Sequence, residues 1–234
     1  MLSSILLFAF LAAFDTVAPS SHALHREWDA LLRRHVDDEG RVNYKGFAAD
    51  HTALNTYLST LSKNPPMAHW SRAEKMAFWI NAYNAFTVAL IAEHYPLQSI
   101  MQLDGGKTWD VKRIEIGGVK YSLNDIENSI LRAQFRDARI HFAINCAARS
   151  CPPLYNRAYT AENLERTLEQ RTRKFIRDTR FNRLSPTRAD VSKIFDWYAA
   201  DFGDLRAYLS RYSGVAITSE ATISFMDYDW KLNN

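Results

Sequence analysis

The sequence has little proline, glycine or cysteine. Among its 234 residues are seven prolines, eight glycines and two cysteines, too few prolines and glycines for a loop-rich or low-complexity protein. Hydrophobic residues make up 47% of the chain and charged residues 24%. This composition is that of a globular protein and excludes an intrinsically disordered one. The length predicts one domain, or at most two small ones.

No cofactor-binding or phosphate-binding motif stands out, so we predict no cofactor. The two cysteines, with four residues between them and one histidine upstream, match no standard zinc spacing, and we predict no metal site. The net charge of +3 is only mildly basic and does not indicate nucleic acid. Nothing in the sequence identifies a partner.

The first 14 residues are almost wholly apolar. That run is shorter than the roughly 20 residues of a spanning helix, but it has the length of a secretory signal core. Ser21 and Ala23 offer a small-x-small cleavage site after Ala23. We therefore predict a signal peptide over 1–23, one mature domain over 24–234 without a transmembrane span, and a periplasmic or extracellular location. The alternative is a short buried N-terminal helix.

Hydrophobic spacing predicts an α+β fold in which helices pack on a small antiparallel or mixed sheet. The strongest helix starts at Ser71, with Glu74 at the capping-box position, and runs to about residue 94. Gly117 and Gly118 indicate a hairpin turn. The remaining predicted helices cover 25–36, 47–63, 122–135, 160–179 and 204–212, and further strands are predicted at 139–145 and 221–226.

The segment 140–153 is the most informative one, because it holds one histidine and both cysteines. If 139–145 is a strand, His141 and Asn145 share one face and the apolar residues share the other. Cys146 ends this strand, and Cys151 precedes two prolines, which favours an extended backbone there. The pattern suggests a Cys–His pair, with Cys146 as nucleophile and His141 as base.

A Cys–His pair needs a third polar group to orient the imidazole. Asn81, Asn84, Glu127 and Asn145 are candidates, and Asp229 is a reserve candidate for the acid. Asn81, Asn84 and Glu127 are assigned to the catalytic group, while Asn145 and Cys151 are assigned to substrate binding. The competing interpretations are that the two helix asparagines tie backbone together and that Glu127 is exposed.

The cysteines leave several alternatives open. Export would favour a Cys146–Cys151 disulfide, and two buried unreactive thiols are also compatible with the sequence. The protein is therefore either a cysteine-dependent hydrolase or acyltransferase, or a non-enzymatic exported binding or scaffold protein with that disulfide. Thiol–disulfide exchange is less favoured, because redox motifs have C-x-x-C spacing.

Five segments, FWINAYNAF (78–86), SLNDIENSILR (122–132), IHFAINCAARSCPPL (140–154), SKIFDWYAADF (192–202) and YDWKLN (228–233), resemble the motifs of domain of unknown function family 547. The resemblance implies that Asn81, Asn84, His141, Cys146 and Cys151 occupy family motif positions, and it implies no activity. A weaker analogy links the chain to transglutaminase-like and papain-like folds. Those folds carry the nucleophilic cysteine on the helix, where this chain has Asn81 and Asn84.

Overall fold

A computed structural model describes residues 21–234. The predicted signal peptide therefore lies outside the described residues, apart from its last three positions. Among residues 21–234, none of the helices combines the length and apolar character needed to cross a membrane.

The described chain is α+β, as predicted: about half of it is helical, and it has two small sheets. The α-helices are α1 (Ser21–Leu24), α2 (Arg26–His35), α3 (Tyr44–Ala49), α4 (His51–Lys63), α5 (Arg72–Glu93), α6 (Ala133–Phe135), α7 (Leu164–Arg177), α8 (Ile194–Trp197), α9 (Ala199–Phe202) and α10 (Leu205–Ser213). The strands are β1 (Ile114–Ile116), β2 (Val119–Tyr121), β3 (Arg183–Leu184), β4 (Arg188–Val191) and β5 (Thr222–Phe225). A π-helix covers Asp125–Arg132, and short 3₁₀ turns cover Ile100–Gln102, Asp104–Gly106, Thr108–Asp110 and Ala138–Phe142.

Helix α5 is the central element of the fold. Its start is fixed by the predicted capping box, in which the Ser71 hydroxyl accepts from the Glu74 backbone N–H and the Glu74 carboxylate accepts from the Ser71 N–H. Both contacts satisfy donors that a helix N-terminus leaves unpaired. Fifteen of its 22 residues are buried, because α3, α4 and the π-helix pack around it.

The sheets are antiparallel and mixed. Strands β1 and β2 form the predicted hairpin, and Gly117 and Gly118 both adopt positive φ at its turn, as the favoured two-residue hairpin turns require. In the other sheet, β4 pairs antiparallel with β3 and parallel with β5.

The segment that carries the candidate site joins two hydrophobic clusters. Ile140 and Ile144 belong to the larger cluster around α5, whereas Phe142 belongs to a smaller cluster formed by α7, β4 and the C-terminal helices. His141 lies between them in sequence and is therefore held from both sides.

The predicted strand over 139–145 is wrong. Residues Ala138–Phe142 form a 3₁₀ turn, and the chain then continues without regular structure to the cysteines. Residues 140–145 are all buried, so the alternation of polar and apolar residues does not reflect two faces of a strand.

The predicted helix over 122–135 forms, but most of it is a π-helix. Ser122 and Asp125 exchange side-chain-to-backbone hydrogen bonds at its start. The wider π turn is frequent at functional sites, and here it brings both Glu127 and Arg132 to the candidate site described below.

Candidate active site

A cavity of about 330 Å³ contains the main candidate residues. It joins the 3₁₀ turn at 138–142, the cysteine loop at 146–152, the π-helix, α8 and the C-terminal tail. The polar lining residues are Tyr83, Lys107, Asp110, Asn124, Glu127, His141, Cys146, Cys151, Tyr198 and Tyr228. The structure thus brings Cys146, His141 and Glu127, three of the five residues assigned to the catalytic group, to one cavity.

His141 is held by an acid that sequence reasoning missed. Its Nε2 lies 2.7 Å from Asp201 Oδ2, and the ring stacks on Tyr198 with the two centroids 4.1 Å apart. Arg132 forms a two-pronged contact with the same carboxylate, from Nε to Oδ2 at 2.6 Å and from Nη2 to Oδ1 at 2.9 Å. The fork fixes the carboxylate, and the carboxylate fixes the ring.

The ionisation of Asp201 decides which ring nitrogen of His141 carries the proton. The hydrogen bond to His141, followed by that to Arg132, holds the pKa of Asp201 far below its usual range. An ionised carboxylate only accepts hydrogen bonds, so in the neutral imidazole the proton lies on Nε2. Nδ1 is then the ring nitrogen available as a base.

Cys146 and Cys151 are free thiols in the structure. Their sulfurs lie 2.7 Å apart, and the Cys146 backbone N–H also donates to the Cys151 sulfur. Cys146 is partly exposed and Cys151 is buried. Within residues 21–234, no hydrogen bond joins either sulfur to His141. In enzymes without substrate, catalytic hydrogen bonds are often long.

The two thiols differ in acidity. Burial raises the pKa of Cys146, but its hydrogen bonds with Cys151, with Tyr228 and with the Ala148 backbone outweigh that effect, so the pKa lies below its ordinary value. Burial and the neighbouring Cys146 raise the pKa of Cys151 well above its ordinary value. Because thiolates are the reactive form and Cys146 is also the more exposed of the two thiols, Cys146 is the better candidate for a nucleophile.

The C-terminal tail supports the cysteine loop. Tyr228 places its hydroxyl 3.1 Å from the Cys146 sulfur, and burial and the charges of the cysteines raise the pKa of Tyr228 well above its ordinary value, so it remains a donor. Ala147 has φ +66°, a left-handed conformation that a non-glycine residue adopts only when its surroundings impose it. The Asn233 N–H donates to the Ala147 carbonyl and holds this turn in place.

The two helix asparagines tie backbone segments to α5 and do not line the cavity. Asn84 donates to the Ala143 carbonyl at 2.9 Å and accepts from the Asn145 N–H at 2.8 Å. Asn81 makes the same two-way contact with the carbonyl and N–H of Tyr159. Each amide thus satisfies a backbone donor and acceptor in the buried interior.

Asn145 has a similar tying function. It donates to the Pro152 carbonyl and accepts from the Ala147 and Asn233 nitrogens. These contacts close the cysteine loop, and Asn145 is not among the residues that line the cavity. Its predicted contact with substrate stays a prediction.

Glu127 is buried, in contrast to the exposed interpretation. Its carboxylate accepts from the Tyr83 hydroxyl at 3.1 Å and lies close to Tyr198. The reserve acid Asp229 is largely exposed and lies 4.0 Å from Arg149. The acid at His141 is therefore Asp201.

The sequence contained one signal for the missed residues. Asp201 and Tyr228 lie in the quoted segments 192–202 and 228–233, and Arg132 ends the segment 122–132. Asp201 is an acid next to a run of aromatic residues. Its role depends on a contact with a histidine 60 residues away, which no local pattern reveals.

Residues 67–176 match the model of a family described as a protein of unknown function, DUF547. The chain contains a DUF547 domain. This confirms the predicted family resemblance over that segment. The matched DUF547 segment includes Asn81, Glu127, His141 and both cysteines, whereas Asp201 and the C-terminal tail follow it. Neither the curated proteins nor the solved structures include a match to the chain.

Proposed function

We propose that this DUF547 protein is a cysteine-dependent hydrolase or acyltransferase that acts on a carbonyl substrate. The observation that carries the proposal is one cavity lined by a partly exposed cysteine of lowered pKa and by a histidine held on an Asp–Arg pair. A nucleophile, a base and a group that orients the base are the parts that covalent acyl transfer requires.

In this mechanism the Cys146 thiolate attacks the carbonyl carbon of an ester, thioester or amide. The bond from the carbonyl carbon to the leaving group breaks, and protonated His141 supplies a proton to that group. Water or another acceptor then attacks the thioester while His141 Nδ1 takes its proton, and Cys146 leaves as thiolate. Asp201 stabilises the imidazolium that forms.

The distance between the sulfurs supports a second candidate. At 2.7 Å, the thiols are close enough that oxidation would give a disulfide with little movement of the loop. If the two thiols are oxidised in this way, the protein would be a non-enzymatic binding or scaffold protein with Cys146 and Cys151 joined.

Thiol labelling separates the two candidates. The native protein is treated with iodoacetamide, with and without prior reductant, and the labelled peptide is mapped in wild type, Cys146→Ala and Cys151→Ala. The enzyme proposal expects labelling of Cys146 without reductant, its loss in Cys146→Ala and its retention in Cys151→Ala. Labelling only after reduction would instead establish the disulfide.

A panel of chromogenic esters, thioesters and amides then tests the activity itself. Turnover that disappears in Cys146→Ala and persists in wild type supports acyl transfer. A labelled Cys146 without turnover of any of the three substrate classes would count against it.

Export completes the proposal. The apolar stretch over 1–14 and the small residues before position 24 support removal of a signal peptide and action in the periplasm or outside the cell. Cell fractionation followed by N-terminal sequencing tests this: the mature protein should begin at Leu24, and an uncleaved cytoplasmic chain would contradict it.

A further inference from the structure

Glu127 is an unusual feature of the cavity wall, because it is a carboxylate only 5% exposed. Its carboxylate accepts from Tyr83, and the charge of Glu127 contributes to raising the pKa of Tyr198, after the larger effect of burial. Within residues 21–234, no lysine, arginine or histidine forms an ion pair with it; the nearby Arg132 directs its fork at Asp201.

Tyr83 and Tyr198 are both neutral hydrogen-bond partners of this carboxylate. Burying a carboxylate with neutral donors alone is unfavourable compared with burying it beside a cation. A buried carboxylate without an ion-pair partner calls for an explanation. Since Glu127 lines the cavity, a ligand that enters can supply the missing positive charge.

Aromatic rings form the second part of the arrangement. Trp109, Trp197, Tyr228 and Trp230 line the same cavity and pack against one another, with centroid distances from 4.6 to 5.8 Å. Trp197 is 45% exposed, so this aromatic wall reaches the surface. Ring faces attract cations and the apolar chains that carry them.

The charges of the lining residues agree with a cationic ligand. Lys107 and Asp110 carry opposite charges and are both exposed. Of the lining carboxylates, the buried one is Glu127. The thiolate of Cys146 adds a second negative charge beside it when it forms.

We propose that this cavity binds a primary ammonium group on an aliphatic chain, with the ammonium at Glu127 and the chain along the aromatic wall. The inference depends on the proposed acyl transfer in one respect, which is that the ammonium group belongs to a substrate of that reaction. The binding site itself can be tested without any chemistry.

The test uses the full mature chain with Cys146→Ala, so that no reaction occurs. Butylammonium, butanol and butanoate are titrated while the indole N–H resonances of Trp109, Trp197 and Trp230 are followed by NMR. Butylammonium should shift them saturably and bind at least about tenfold more tightly than butanol, as a charge-assisted contact predicts.

Two further substitutions test whether Glu127 supplies the negative charge that binds the ammonium group. Adding Glu127→Gln keeps the shape and the acceptor for Tyr83, and should weaken butylammonium binding about tenfold while leaving butanol unchanged. Adding Glu115→Gln changes an exposed glutamate of β1 outside the cavity and should have no effect. Equal affinities for butylammonium and butanol, or an unchanged affinity in Glu127→Gln, would overturn the inference.

An experiment on wild-type protein acylated by a chromogenic ester shows whether the ammonium group belongs to the acyl donor or to the acyl acceptor. Formation of an N-butyl amide, in which the ammonium loses one proton to solvent and a second to His141 and the Cys146 thiolate leaves, assigns it to the acyl acceptor. Competition with acylation and no amide assigns it to the acyl donor. Amine binding without turnover of any ester, thioester or amide would defeat the proposed acyl transfer and leave the ammonium site standing.

Discussion

Two sets of buried polar side chains meet in this protein, and they differ in what they face. Asn81 and Asn84 are at most 2% exposed, and His141 and Glu127 are at most 5% exposed. In each asparagine the side-chain amide donates to a backbone C=O group and accepts from a backbone N–H group. His141 and Glu127 instead line a cavity. Burial alone therefore does not separate a structural amide from a reactive group; the identity of the hydrogen-bond partner does.

The largest expected effect is on the cavity side of this comparison. His141→Gln removes the base and keeps a polar side chain of similar size. Turnover of whichever chromogenic substrate proves active should fall by about 10²–10⁴-fold, the usual contribution of a positioned acid–base group. The free energy of unfolding, measured in urea, should change far less than in the asparagine variant described next. A variant that unfolds readily, or retains its turnover, would place His141 with the structural amides.

Asn84→Ala tests the structural asparagines of this comparison. It leaves the Ala143 carbonyl and the Asn145 N–H without their partner in the buried interior, and each such loss costs about 1–3 kcal/mol. Urea unfolding should therefore show a loss of about 2–6 kcal/mol for the two groups together.

The control for that experiment is Asn55→Ala, at an exposed position of α4, which should change stability by less than about 0.5 kcal/mol. If the two variants are equally stable, the paired contact of Asn84 contributes nothing net, and the proposed division of roles fails.

The same comparison explains what the sequence predicted. Local signals sufficed for α5, whose capping residues Ser71 and Glu74 are three apart, and for the hairpin at Gly117 and Gly118, because neighbouring residues decide those structures. The strand over 139–145 failed for a physical reason. Its residues are buried by two separate clusters, so the alternation of apolar and polar residues did not correspond to an inner and an outer face.

The candidate site was predictable only as a segment. His141 and the cysteines lie within 11 residues, whereas their partners Asp201 and Tyr228 are 60 residues from His141 and 82 from Cys146. Such contacts depend on how α9 and the C-terminal tail pack, and hydrophobic spacing carries no information about them. Glu127 was placed in the correct helix, but the π turn that buries it follows no 3.6-residue pattern.

A smaller effect is expected from Tyr228→Phe, which changes the acidity of the nucleophile and removes no reacting group. The hydroxyl at 3.1 Å helps to lower the pKa of Cys146. Without it the thiolate forms only at higher pH, so the rate of iodoacetamide labelling plotted against pH should shift to higher pH. The limiting rate at high pH should stay similar. The reference is Tyr95→Phe, which does not line this cavity and whose profile should match that of wild type. A profile of Tyr228→Phe that also matches would remove Tyr228 from the site.

The smallest effect should come from Arg132→Lys, which tests whether the fork on Asp201 positions His141. Lysine keeps the positive charge but cannot make both contacts with the carboxylate. Asp201 then still accepts from His141, in a less fixed orientation, and turnover should fall only about 2–10-fold, because the base and its acid remain. The decrease should appear in kcat more than in KM, since Arg132 touches Asp201 and does not line the cavity. Because Arg132 also stacks over Tyr198, a loss of stability equal to that of Asn84→Ala would show that it belongs with the structural amides.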